Sequence, residues 1–388
     1  MTVDLSGAHV VDVHCHGFAV DQLLAQSEAG VIDRMTVMGM CFLSSTTADP
    51  ALANEVWAMT DSTVFAMAAR RWLARYLGCD EVEVGTVRRK RLLDDPTGYL
   101  SALLADESIV GLLVDDGFPA APRIAAADLQ QLVATPVHRV ARLEPMIERA
   151  CQASGSFSAV EESFRAEMDD AGDAVAYKTV IAYRTGLDVT DPDRDDVESA
   201  FRAWRESGWT ESRQTSKAVR DHFLGVAYEI AARQGGRPIH IHSGAGDPDV
   251  VLAHVRPTNL GPLLARTSSH PTVLIHGGFP WIEDAAYLAS IYPRAYLDLS
   301  LHLPWATVAA DRAIETALGL VPGSKVLYGS DEASEPEVLW ISARLGRSAI
   351  TRVLQRSVDH DMLTTRQAID IGHAVLAGNT QRLHGLAV

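Results

Sequence analysis

The chain has 388 residues, 47% of them hydrophobic and 22% charged, a composition that supports a large packed core and excludes a disordered polymer. Its 50 acidic residues against 34 basic ones give a net charge of −16, which repels nucleic acid and anionic membrane and removes both as expected partners. No stretch approaches the roughly 20 apolar residues of a membrane span, and the N-terminal segment lacks the basic-then-apolar order of a secretory signal. Cys15, Cys41, Cys79 and Cys151 are scattered and form no Cys-x-x-Cys pair, which predicts a reduced, cytoplasmic chain without a disulfide framework.

In chain order, short apolar or β-branched runs ending in polar residues recur. They are VVDVHCH (10–16), VGLLVDD (110–116), VHRVARLE (137–144), VAYKTVIAYR (175–184), RPIHIHSG (237–244), TVLIHGG (272–278), AYLDLSLH (295–302) and KVLYGSD (325–331). Each is too short for a buried helix, so each predicts a strand. Amphipathic stretches lie between them, such as 219–236, which ends on Gly235 and Gly236 as a helix does. Eight strands alternating with helices predict an α/β (β/α)8 TIM-like barrel, one of the few single domains that reach this length. Residues 1–388 are therefore expected to form one barrel domain, with a helical insertion at about 47–105 and a lid-like loop at about 187–218.

The C-terminal strand ends of such a barrel face the active site. His14 and His16 end the first run, His242 the fifth, His276 the sixth and Asp331 the eighth. Residues two apart on a strand share a face, so both histidines of His14-Cys15-His16 can turn to one ion. Imidazole and carboxylate suit zinc and other divalent metals, and three histidines with an aspartate leave a position for water. Each feature alone has an ordinary explanation. A lone strand histidine is usually a satisfied core residue, and Asp331 is placed to cap a helix starting near Pro336. Their occurrence together, each at a strand end, points to a metal centre. Asp115 and Asp116 end the second run, Tyr183 and Arg184 the fourth, and Trp281 and Trp305 follow the sixth and seventh. Arg184 is suited to a substrate carboxylate or equally to a salt bridge. Tyr183 and Asp115 are candidates to line the pocket, and the two tryptophans to wall it.

The ordered set VDVHCHG, IHIHSGAGD, LIHGGFPW, YLDLSLHLPW and VLYGSDEAS, with AGNTQRLHGL near the end, resembles the amidohydrolase superfamily from Val11 to Leu386. More narrowly, LLVDDGFP and KTVIAYRTGL are similar to the amidohydrolase domain that some fungi and plants fuse to a glutamine-synthetase-like domain. The resemblance implies that His14, His16 and His242 bind metal, with His242 preferred over the deeper His240. It makes Asp331 a ligand or a proton acceptor. His276 is then a base or transition-state donor beside one metal, or a ligand to a second. Lys178 lies where binuclear relatives carry a carboxylated lysine bridging two ions, although a free lysine that binds a substrate carboxylate, or a structural one, also fits.

The expected cofactor is one or two divalent ions, zinc foremost, and the expected partner a small molecule; a homodimer is implied by resemblance alone. The expected reaction is hydrolysis of an amide-like C–N bond in a carboxylated molecule, with Asp331 as base and His276 steadying the oxyanion. The narrower resemblance hints at a γ-glutamyl amide. A non-oxidative decarboxylase or related lyase uses the same metal shell and is the alternative. A non-catalytic binding barrel is a third reading, against which the intact ligand set argues.

Overall fold

The computed structural model describes residues 2–44, 49–117, 124–333 and 335–387. Eight strands run β1 (Val10–Cys15), β2 (Ile109–Asp115), β3 (Val137–Arg142), β4 (Ala176–Thr179), β5 (Ile239–Gly244), β6 (Thr272–Phe279), β7 (Ala295–Asp298) and β8 (Val326–Leu327). Each pairs in parallel with the next in chain order, and helices fill the connections. β8 has two residues in its ladder, yet the ring closes on β1. Tyr328 O accepts from Val13 N–H at 3.0 Å, His14 O from Asp331 N–H at 2.9 Å, and Glu332 O from His16 N–H at 2.7 Å. The protein is a (β/α)8 TIM barrel, and all eight apolar runs fall on its strands.

Several runs are shorter as strands than as sequence, the fourth, seventh and eighth most of all. The fourth ends at Thr179, where the Glu144 carboxylate takes the Thr179 hydroxyl at 2.6 Å and the Val180 N–H at 2.9 Å. The chain then turns into the short helix Ile181–Arg184, so Tyr183 and Arg184 stand on a helical turn. The seventh ends at Asp298, whose carboxylate accepts the Ser300 N–H at 3.0 Å.

Val11, Val13, Leu113, Val140, Ala176, Val273, Ile275 and Leu327 form one buried cluster. They come from six strands around the ring, and such residues meet only inside it. Ala377, with Leu383 and Leu386 against it, completes that filling, and Asn379 ties this segment to the start of β8 through Val326 O at 2.8 Å. Above it β1 changes phase. Its pairing with β2 is irregular between Asp12 and Cys15, so His14 and His16 also turn inward although Val11 and Val13 already do.

Between β1 and β2 the described residues form a series of helices from Val20 to Asp106, a wider span than the 47–105 expected for an insertion. Helix Val64–Leu77 is capped by the Thr63 hydroxyl and closed by Gly78 in the left-handed region, and helix Pro96–Asp106 starts on Asp95 with proline in its first turn. Arg88 and Tyr99 from this insertion bind Glu337 at 2.7 Å each, fastening it to the helix after β8.

The segment expected as a lid-like loop, 187–218, is partly helical. It holds the helix Arg194–Glu206, whose Val197, Phe201 and Trp204 are buried at helical spacing, and this helix packs on the next, Lys217–Arg233. No residue of 187–218 lines the cavity described below.

Candidate metal centre

A cavity of about 550 Å³ opens at the C-terminal ends of the strands. His14 and His16, Lys178, His242, His276 and Asp331 all line it, from β1, β4, β5, β6 and the turn after β8. Asp331 is the hub. Its Oδ1 lies 3.1 Å from His14 Nε2 and 3.6 Å from His16 Nε2, and its Oδ2 lies 3.8 Å from His276 Nδ1. Lys178 Nζ stands 3.0 Å from His14 Nε2. The rings of His14 and His16 meet edge-on at 4.9 Å, and those of His242 and His276 at 4.3 Å.

Local backbone builds this convergence. His276 and Asp331 hold positive φ of 69° and 58°, a left-handed conformation that non-glycine residues rarely adopt and that clusters at functional sites. His276 is anchored on β7 side chains. Its N–H donates to Asp298 Oδ2 at 2.9 Å, and its Nδ1 lies 3.0 Å from Ser300 Oγ. The Ser300 hydroxyl donates to Asp298, so Ser300 Oγ accepts from His276 Nδ1–H. This assignment leaves His276 Nε2 with a lone pair.

The electrostatics favour neutral imidazoles. Burial first, then nearby positive groups, push His14, His242 and His276 well below the usual histidine range. Burial also lowers Lys178 to about 8, against the pull of Asp115.

The donor set fits a divalent cation. His14, His276 and Asp331 bring one ligand atom each within 4.8 Å of one another, as do His14, His16 and Asp115. His242 belongs to neither group among the described residues, but its Nε2 is buried without a hydrogen-bond partner, the state of a nitrogen awaiting a ligand. His240 lies below it, with Nε2 2.9 Å from His384 Nε2.

The other sequence candidates divide. Tyr183 and Arg184 line the cavity; the Tyr183 hydroxyl accepts the Asp247 N–H at 3.0 Å, and Arg184 is exposed. Asp115 does not line it. Its carboxylate is fully buried and held by Arg142, with Nη2 2.5 Å from Oδ2, so it supports the wall from behind. Asp116 is likewise taken up, by Arg139 at 2.5 Å. Trp281 and Trp305 also stand outside the lining. Trp281 packs on the core where helix Ile282–Ile291 starts, and the Trp305 indole donates to Met35 O at 2.8 Å.

Sequence reasoning missed Arg142 and Arg34, which line the cavity, and the Asp298–Ser300 pair behind His276. Arg142 ends the third run, a signal of the kind that singled out the histidines. Arg34 lies in a helix of the insertion, where no spacing marks it.

A family model described as Amidohydrolase matches residues 122–348. Protein fluG of Emericella nidulans is 28% identical over 314 residues, 77% of this chain and 36% of its own length, so the chain spans about a third of that relative. A Lactobacillus casei structure described as a metal-dependent hydrolase aligns with a TM-score of 0.83 at 24% identity, covering 99% of this chain and 98% of its own. A uronate isomerase from Bacillus halodurans aligns with a TM-score of 0.66 at 12% identity, covering 99% and 94%. A glucuronate isomerase from Caulobacter crescentus aligns with 0.67 at 14%, covering 98% and 92%. Among the described residues, no helix is long and apolar enough to cross a membrane.

Proposed function

The chain belongs to the amidohydrolase family, and on that premise we propose that it hydrolyses an amide-like C–N bond in a small carboxylated molecule. The observation that carries this reading is the convergence of His14, His16 and His276 on the Asp331 carboxylate at the floor of the cavity. In this reading His14, His16, His242 and Asp331 hold a divalent ion, zinc foremost, while Lys178 and His276 stand ready for a second. Such an ion supplies Lewis acidity toward a carbonyl and brings the pKa of water toward neutrality.

The chain's own residues do the rest. Asp331 Oδ2, turned toward His276, receives the proton from the attacking water and returns it to the leaving nitrogen. His276, whose Nδ1–H is committed to Ser300, offers Nε2 as a ligand or a proton acceptor. With burial keeping the ring neutral and its one proton on Nδ1, Nε2 carries no hydrogen to donate to an oxyanion, which weighs against the donor role that resemblance offered. Arg184 at the mouth meets a substrate carboxylate. The resemblance to an amidohydrolase domain fused to a glutamine-synthetase-like domain makes γ-glutamyl amides the first compounds to try.

The test is one metal-supplemented preparation assayed for amine release and CO2 release across N-acyl amino acids, γ-glutamyl amides and aromatic carboxylates. Amine release that is lost on Asp331→Asn supports the proposal. CO2 evolution without amine sinks it in favour of a decarboxylase.

A further inference from the structure

We propose that Arg142 anchors a carboxylate of the substrate beside the metal centre. This inference rests on the cavity being the substrate site, as argued above, and adds a residue to it that neither spacing nor resemblance singled out.

A guanidinium presents five N–H bonds in a fixed plane. Arg142 gives one edge of that plane to Asp115, with Nε 3.0 and 3.1 Å from the two carboxylate oxygens and Nη2 2.5 Å from Oδ2. The other edge, one N–H from Nη1 and one from Nη2, is the edge that holds a planar carboxylate through two parallel bonds. Nη1 has no partner among the described residues. The side chain is only 12% exposed, and what it exposes lies on the cavity wall, next to Lys178 across the β3–β4 pair.

The setting is built to hold this orientation. The Gly117 N–H donates to Asp115 Oδ1 at 3.1 Å, steadying the carboxylate that steadies Arg142. A Cβ on Gly117 would lie 2.3 Å from Arg142 Cδ and 2.5 Å from its Cβ, so the arginine crosses a space that only glycine leaves open. The cavity's other arginines lack this combination. Arg184 is exposed and sits on a short helical turn. Arg34 has Nε on Glu335 at 2.7 Å and Nη1 on Ser27 O at 3.0 Å, and its remaining Nη2 is sealed from solvent. Arg142 alone of the three pairs a pinned plane with a free edge, and preorganisation of that kind converts contact into affinity.

The test measures binding by calorimetry and thermal shift on the full chain treated with EDTA, so that no metal contributes. The probes are succinate, glutarate and benzoate, with glutaramide as the neutral control and inorganic phosphate as the rival anion. At least one carboxylate is expected to bind, and glutaramide is not. Arg142→Lys keeps a cation for Asp115 but removes the second planar edge, and is expected to weaken carboxylate binding roughly tenfold to a hundredfold. Arg142→Gln should do the same, and if it fails to fold the lysine variant decides. Undiminished binding in a folded Arg142→Lys protein overturns the inference. So does equal affinity for glutaramide, tighter binding of phosphate than of any carboxylate, or no carboxylate binding at all. Because no turnover is read, Arg142-dependent binding in a protein that releases no amine would sink the hydrolase reading and leave this one standing.

Discussion

Lys178 Nζ and His14 Nε2 stand 3.0 Å apart, both side chains buried at the foot of the cavity. Two cations cannot share that space. Burial is the first cause of relief on each side, lowering Lys178 to about 8 and His14 well below the histidine range. A lysine so placed is accessible as a free amine near neutral pH, the form that reacts with CO2. The expected outcome, on protein purified without chelator and with bicarbonate present, is about two metal equivalents per chain, the count of a two-metal site. Lys178→Ala should lose one of them. A single equivalent indifferent to Lys178 but lost with His14→Ala would assign one ion and favour the decarboxylase alternative. Elemental mass spectrometry reads either result.

His276 depends on a residue it does not share a strand with. The Ser300 hydroxyl, committed to Asp298, fixes the His276 proton on Nδ1 and leaves Nε2 bare. Ser300→Ala removes that constraint without touching the cavity lining. Such supporting partners typically contribute 10–100-fold to metal affinity or activity, so a loss of roughly that size is expected, with recovery in Ser300→Thr. An alanine variant with unchanged kcat and metal affinity would leave Ser300 a purely structural residue.

The barrel was legible because parallel strands buried on both faces read as continuous apolar runs, and all eight runs became strands. His14, His16, His276 and Asp331 were legible because strand ends carry them to one rim. What escaped depends on contacts between distant segments. Asp115 looks like a pocket residue until Arg142, 27 positions away, takes its carboxylate. The phase change at His14 is invisible in a pattern that reads only alternation. Residues 187–218 looked like a loop because their charge is high, although Val197, Phe201 and Trp204 already spaced a buried helical face.

The Asp115–Arg142 pair makes a pH prediction. Burial alone would raise the Asp115 pKa, but the Arg142 charge outweighs it, and the carboxyl lies well below the usual aspartate range. A depressed folded pKa contributes stability above the unfolded value, about 3.9, and loses it as pH falls through the folded one. Asp115→Asn should therefore be less stable than the parent at pH 7, with the gap narrowing below about pH 4. Denaturant midpoints at the two pH values measure it; a gap that stays constant would mean that the lost interaction is not ionic.

The segment 187–218 offers the sharpest choice between a lid and a flank. Trp204 is 2% exposed, wedged between helices, and the Arg220 guanidinium lies 5.0 Å from its ring centroid. Truncating a tryptophan in such a site costs about 3–5 kcal/mol, whereas a lid residue contributes to turnover and little to folding. Trp204→Ala should accordingly lower the unfolding midpoint by that scale while KM, measured on the fraction that stays folded, barely moves. A variant with unchanged stability and a raised KM would favour the lid. The physical reason to expect the first result is that Val197, Phe201 and Trp204 bury one face of their helix against its neighbour, and opening it would expose all three at once.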